Sequence, residues 1–196
     1  MKSPIQTIQK TDSELIRLFK SGDVSALNYL IERYKDKIYT SIYMLLKDKY
    51  LAEDMFQNTF IRVIETIRGG NYNEEGKFLP WVIRIAHNMC LDHFRKVKRS
   101  PSIKSADGET NLDALLDNSE SAETKMAKRQ THDKVRRMVE LLPDDQREVI
   151  VLRHYAGLSF KEVANLTNCS INTALGRMRY GLINLRRMVD EKQIAL

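Results

Sequence analysis

Two sets of side chains in this chain have the types and spacing to do chemistry, and in both the chemistry is recognition of nucleic acid. The first is Trp81, Arg84, Asn88, Arg95 and Lys98, with Tyr72 and Phe78 close by in sequence. Cations track phosphates, aromatic rings receive unstacked bases, and an Asn side chain offers a donor and an acceptor to one base edge. Taken singly, Phe78 and Trp81 fit a place in a core better than a place against a base. The second set is Asn172, Thr173, Arg177, Arg179, Tyr180, Arg186 and Arg187. Thr173, Arg177, Tyr180, Asn184 and Arg187 project from one side of a helix whose other side is apolar, a composition suited to a DNA major groove. His87, Cys90 and His93 recur at three-residue steps and would span about 120° of a helix, which admits a metal site. Cys90 falls on an apolar stripe, however, and no carboxylate completes a catalytic set. No catalytic residue, metal or cofactor is expected.

The elements that position these residues are helical. Apolar residues recur at three- and four-residue intervals and alternating strand-like runs are scarce, so the chain is predicted to be all-α. Ser159 and Glu162 form a capping box, Val163, Ala164 and Leu166 face inward from a short helix, and Asn168-Cys169 makes a tight turn. Ser170 then caps a longer helix on which Ile171, Leu175, Met178, Leu182, Leu185 and Val189 form the predicted buried stripe. This helix-turn-helix reading puts Leu175 in the core and away from the reading face. Upstream, helices are predicted from about Glu123 to Leu142 and from Asp144 to about Tyr155.

The first block begins with a second capping box, Thr11 and Glu14, and a helix that stops at Gly22. Further helices are predicted from about Ser25, from about Leu51 to Arg68, and from about Leu79 to Arg99. On the third of these, Phe56, Phe60, Val63, Ile64 and Ile67 are the expected core. Asp54, Gln57, Asn58, Arg62 and Glu65 point elsewhere, with Ile61 among them. That face is either solvated, with one exposed apolar residue, or a protein-docking surface with an apolar centre. On the fourth helix the expected core is Leu79, Val82, Ile83, Ala86, Met89, Cys90, Phe94 and Val97.

The formal net charge of +6 conceals a division. Residues 1–99 hold 17 Lys/Arg against 12 Asp/Glu, residues 100–124 hold 1 against 6, and residues 125–196 hold 14 against 8. Two basic blocks separated by an acidic spacer suit two nucleic-acid-facing modules. Residues 100–122 are rich in Ser, Asp, Asn and Glu, the composition of a flexible linker, so the expected domains are 1–99 and 123–196. The two lone cysteines fit a reducing compartment, and no apolar run approaches membrane-spanning length. A soluble cytoplasmic protein without a signal peptide is expected.

The runs AEDMFQNTF (Ala52–Phe60), FLPWVIRIAHNMCLDHFRK (Phe78–Lys96), LPDDQREVIVLRHYAGLSFKEVA (Leu142–Ala164) and SINTALGRMRYGLINLRR (Ser170–Arg187) resemble bacterial RNA polymerase sigma factors, in particular the two-domain extracytoplasmic-function (ECF) group of the sigma-70 family. The resemblance covers nearly the whole chain except the linker and short tails. It implies that Asp54, Gln57, Asn58, Ile61, Arg62 and Glu65 dock on the clamp helices of the largest subunit of core RNA polymerase. It implies that Phe78, Trp81, Arg84, Asn88, Arg95 and Lys98 open and read the −10 element of promoter DNA, Asn88 matching the position that captures a flipped-out base. The helix-turn-helix would read the −35 element as duplex, Arg177 and Tyr180 on bases with Asn172 and Thr173, and Arg179, Arg186 and Arg187 on phosphates. An anti-sigma factor is the implied inhibitor. The chain departs from the family at Asn58, where an acidic residue is frequent, and at Leu175-Gly176, where many relatives have Arg-Ser. The family also breaks the Phe78–Arg99 segment with a short loop near Asn88, where periodicity predicts one helix. The alternative is a free-standing helix-turn-helix regulator, which explains the second basic block but not the basic, aromatic-flanked helix of the first.

Overall fold

The computed structural model describes residues 10–73, 75–99 and 133–191, and those residues are helices and turns without a strand. The chain divides into two compact units, residues 1–42 with 50–106 and residues 43–49 with 107–196. The predicted linker at 100–122 and the start of the helix predicted from Glu123 lie outside the described residues.

The first unit draws on four described helices, α1 Asp12–Lys20, α2 Val24–Leu46, α3 Lys49–Arg68 and α4 Phe78–Arg99. The capping box at α1 forms as predicted: the Glu14 amide donates to Thr11 Oγ1 (3.3 Å) and the Thr11 amide to Glu14 Oε2 (2.7 Å). The Thr11 amide, and after it the Thr11 hydroxyl (3.0 Å), donate to the carboxylate and hold the Glu14 pKa below its usual value. The tight turn into α2 runs through Gly22 at φ 102°, a conformation open to glycine. Asp12 ties the two helices together. Its carboxylate accepts from Arg33 (2.6 Å) and from the Tyr34 hydroxyl (2.6 Å). Burial, reinforced by that hydrogen bond, pushes the Tyr34 pKa up to about 12.

The core of this unit takes Leu15, Ile16 and Phe19 from α1 and Leu27, Leu30 and Ile38 from α2. From α3 it takes Phe60, Val63 and Ile67, and from α4 Phe78, Val82, Ile83, Ala86 and Cys90. The predicted α4 core is only partly right, because Phe94 (42% exposed) and Val97 (43%) lie outside it. Burial on α4 ends at Cys90, and the last two turns carry their apolar stripe into solvent. The helix itself is uninterrupted from Phe78 to Arg99, Asn88 included, as periodicity predicts.

In the second unit residues 133–140 are helical (α5). The helix α6, Asp144–Ile150, continues as a π-helical turn over Val151–Tyr155, where the Ala156 amide reaches back to the Val151 carbonyl (3.0 Å). The wider turn lets four consecutive side chains, Val149 to Leu152, all be buried. The predicted helix end near Tyr155 stands, but its last turn is π rather than α.

The short helix α7, Phe160–Leu166, is capped by Ser159 and Glu162 as expected (2.8 and 3.3 Å). Asn168, at φ 50°, makes the turn, and Ser170 Oγ accepts the Thr173 amide (3.0 Å) at the start of α8, Ile171–Glu191. Helix α8 packs on both α6 and α7.

Candidate nucleic-acid interface

On α4 the residues expected to handle DNA lie on one strip. At about 100° per residue, Trp81, Arg84, Asn88, Arg95 and Lys98 fall within roughly 100° of arc and about 26 Å of helix. Arg84, Asn88, Arg95 and Lys98 are exposed, and Trp81 is half-buried. The Trp81 ring is braced by Tyr72 (centroids 4.3 Å apart, planes at 49°) and by Phe78 (5.9 Å, 48°). Phe78 itself is fully buried, packed edge-on against Tyr72 (6.4 Å) and tilted against Tyr34 (5.9 Å). Its ring has no free face for a base, so the expected contact of Phe78 with DNA is corrected: it supports Trp81 from below. Arg95 pairs with Asp92 at 2.8 Å, but both side chains are about two-thirds exposed, and such a pair yields readily to a phosphate.

His87 and Cys90 turn inward from the same helix, each only 1% exposed. Burial pushes the Cys90 thiol pKa up to about 12, the opposite of a metal-binding thiolate. Among the described residues no three His, Cys, Asp or Glu side chains converge on a possible metal position.

On α3, Asp54, Gln57, Ile61, Arg62 and Glu65 are exposed and Asn58 is half-buried. They share roughly 140° of arc, with Ile61 (51% exposed) near the middle of the polar surround. Phe60, Val63 and Ile67 occupy the opposite, buried side as predicted, while Phe56 and Ile64 are half-buried.

The recognition-type helix α8 is rotated from its predicted setting. Its buried residues are Ala174 and Gly181, with Met178 and Leu185 half-buried beside them. Ile171 (46% exposed), Leu175 (44%) and Leu182 (51%) stand outside, so the buried face lies about 60° around from the apolar stripe. Close approach decides the phase. A Cβ on Gly181 would lie 2.7 Å from Cδ1 of Ile150, so α8 meets α6 where it has least side chain, not where it is most apolar.

The assignments of three further residues on this helix change. Arg177, expected to read a base, turns toward α6, where Nε pairs with Asp145 Oδ2 at 3.3 Å and the side chain is 28% exposed. Asn184 likewise donates to Gln146 Oε1 (2.8 Å). Leu175, expected in the core, belongs to the outer surface together with Gly176. Asn172, Thr173, Arg179, Tyr180, Arg186 and Arg187 are exposed as expected, Tyr180 at 63%. The clue that sequence reading passed over was the pair of small residues seven apart, Ala174 and Gly181, on one helical line.

Both units have counterparts in known proteins. Residues 30–100 match the family described as Sigma-70 region 2, and residues 132–175 match Sigma-70, region 4. The ECF RNA polymerase sigma factor SigW of Bacillus subtilis is 30% identical over 180 residues, covering 90% of this chain and 95% of its own length. The chain belongs to the ECF sigma factors. The RNA polymerase sigma-H factor of Pseudomonas aeruginosa is 29% identical over 174 residues, 87% of this chain and 89% of its own. The fold also matches the sigma factor RpoE of Bartonella quintana, solved with the anti-sigma factor NepR (TM-score 0.64, 18% identity, 85% of this chain and 98% of that one). CnrH, solved with the cytosolic domain of CnrY, is a further match in fold (TM-score 0.60, 20% identity, 93% and 99%). A sigma factor directs transcription initiation, and the region 2 match over the first unit has no place in a free-standing helix-turn-helix regulator. No described helix of this sigma factor is long and apolar enough to cross a membrane.

Proposed function

We propose that this sigma factor joins core RNA polymerase through the α3 face of Asp54, Gln57, Asn58, Ile61, Arg62 and Glu65, set against the clamp helices of the largest subunit. Trp81, Arg84 and Asn88 act at the melted −10 element, with Arg95 and Lys98 on the backbone. The outward face of α8 reads the −35 duplex through Asn172, Thr173, Tyr180 and Arg179, with Arg186 and Arg187 on phosphates; Arg179 moves here from the expected phosphate contact because Arg177 is turned to Asp145 and Arg179 is exposed. Arg177 holds α8 in place. The working domains are residues 1–99 and 123–196. Polymerase performs the chemistry, the sigma factor contributes no active site, and both act in the cytoplasm. An anti-sigma factor is its inhibitor, a reading supported by the complex of RpoE, a sigma factor of like fold, with the anti-sigma factor NepR.

The observation that carries this reading is the α4 strip. It presents a braced Trp81, then an exposed cation and an exposed amide one and two turns on, leading into a basic helix end. Cations for phosphates, a ring for a base and an Asn edge for hydrogen bonding suit single-stranded DNA better than duplex. In vitro transcription with purified core polymerase over a genomic library tests it. Initiation at a small set of promoters that share upstream and downstream motifs is expected. An active core enzyme that gains no promoter selectivity on adding the chain would refute it.

A further inference from the structure

Helix α8 contains two glycines inside its span, and the structure accounts for only one of them. Gly181 is buried where α8 meets α6, and a side chain there would collide with Ile150 at 2.7 Å. Gly176 has nothing within 4 Å of the place a Cβ would take. Glycine in a helix interior weakens the helix relative to alanine. Among the described residues no contact compensates for that at Gly176, so the bare backbone is left open toward whatever the helix faces. Beside it stands Leu175, 44% exposed, with Asn172 and Arg179 one turn away on either side, both exposed. A branched apolar side chain thus stands next to a missing one, inside a polar row.

The only apolar group that a base pair offers in the major groove is the C5-methyl of thymine. We infer that Leu175 and Gly176 select thymine in the −35 element: Leu175 packs on the thymine methyl, and the bare Gly176 backbone lets the first turns of α8 seat deeply enough for contact. The inference rests on the proposal that α8 reads the −35 duplex. It assigns a base preference to two positions at which this chain departs from the Arg-Ser of many relatives.

The test uses the full-length chain in holoenzyme with cognate core polymerase. A promoter is first selected from a library randomised over the −35 region, and each −35 thymine is then replaced singly by deoxyuracil, which pairs identically but lacks the methyl. Loss of about fourfold in binding at one or two positions is expected, the worth of one buried methyl-sized group. In L175A that dT/dU difference should vanish. G176A should weaken binding to the same promoter while the isolated sigma factor melts no lower than the unaltered one. A −35 footprint that persists while no thymine-to-uracil change matters would overturn the inference and leave −35 reading by α8 standing. No −35 footprint at all, with R179A also silent, would overturn both.

Discussion

Asn88 is exposed one helical turn beyond Arg84 and two turns beyond the braced ring of Trp81, on the side of α4 facing away from Val82, Ala86 and Cys90. Because its side chain takes no part in the core, Asn88→Ala should fold normally and bind core polymerase with unchanged affinity. It should slow open-complex formation about tenfold or more, the scale of a lost bidentate base contact. Permanganate footprinting of the −10 region against a core-binding titration separates the two effects, and equal loss in both would move Asn88 out of the DNA site. Arg177 makes the opposite case. Its guanidinium is directed at Asp145, so Arg177→Ala should lower the stability of the second unit by about 1 kcal/mol. Base preference at −35 should stay as it was, and Asp145→Ala should reproduce the loss. Thermal melting paired with a promoter profile checks both variants, and a relaxed −35 profile in Arg177→Ala alone would restore it as a base reader.

Among the elements, those set by near neighbours in sequence could be read from the sequence, and those set by distant packing could not. The capping boxes at Thr11 and Ser159 need only a hydroxyl and a carboxylate three residues apart, and both formed. The α4 strip was legible because exposed residues on a long helix keep their periodicity. The phase of α8 was not, because Ile150, lying 31 positions before Gly181, fixes it. Nor was the burial of Phe78, whose ring partners Tyr34 and Tyr72 come from α2 and the loop before α4. Contact between α6 and α8 makes a sharp prediction. Alanine is better than glycine in a helix by about 1 kcal/mol, so Gly176→Ala, in open space, should raise stability by about that amount. Gly181→Ala should not, since the new methyl meets Ile150 Cδ1 in a closed core. Ile150→Val removes that carbon, and in its background Gly181→Ala should become stabilising. Urea denaturation of the four proteins in this cycle measures the coupling, and additive behaviour would mean that Gly181 is not where the helices meet.

For the whole molecule, charge governs how strongly a correctly phased reader holds DNA. The net +6 is a surplus placed at both ends of the chain, with the acidic excess confined to residues 100–124. Phosphate contacts release condensed counterions, so the logarithm of promoter affinity falls with the logarithm of salt by about 0.9 for each phosphate neutralised on duplex DNA. Arg186 and Arg187 lie on the exposed side of the second half of α8, two turns and more beyond the Leu175–Arg179 row, where a helix leaving the groove meets backbone. Replacing Arg186 with alanine should therefore lower the salt slope of holoenzyme binding by about 1 without changing which −35 sequence is preferred. Arg187 lies 3.7 Å from Glu191, so part of its charge is already answered within the helix and its replacement should lower the slope less. Arg179 stands among the reading residues, and its loss should alter the preferred sequence. Salt titrations of holoenzyme on the selected promoter and on single-base variants distinguish the two behaviours. If Arg186→Ala shifted sequence preference and left the slope intact, the division of α8 into a base-reading first half and a phosphate-holding second half would be wrong.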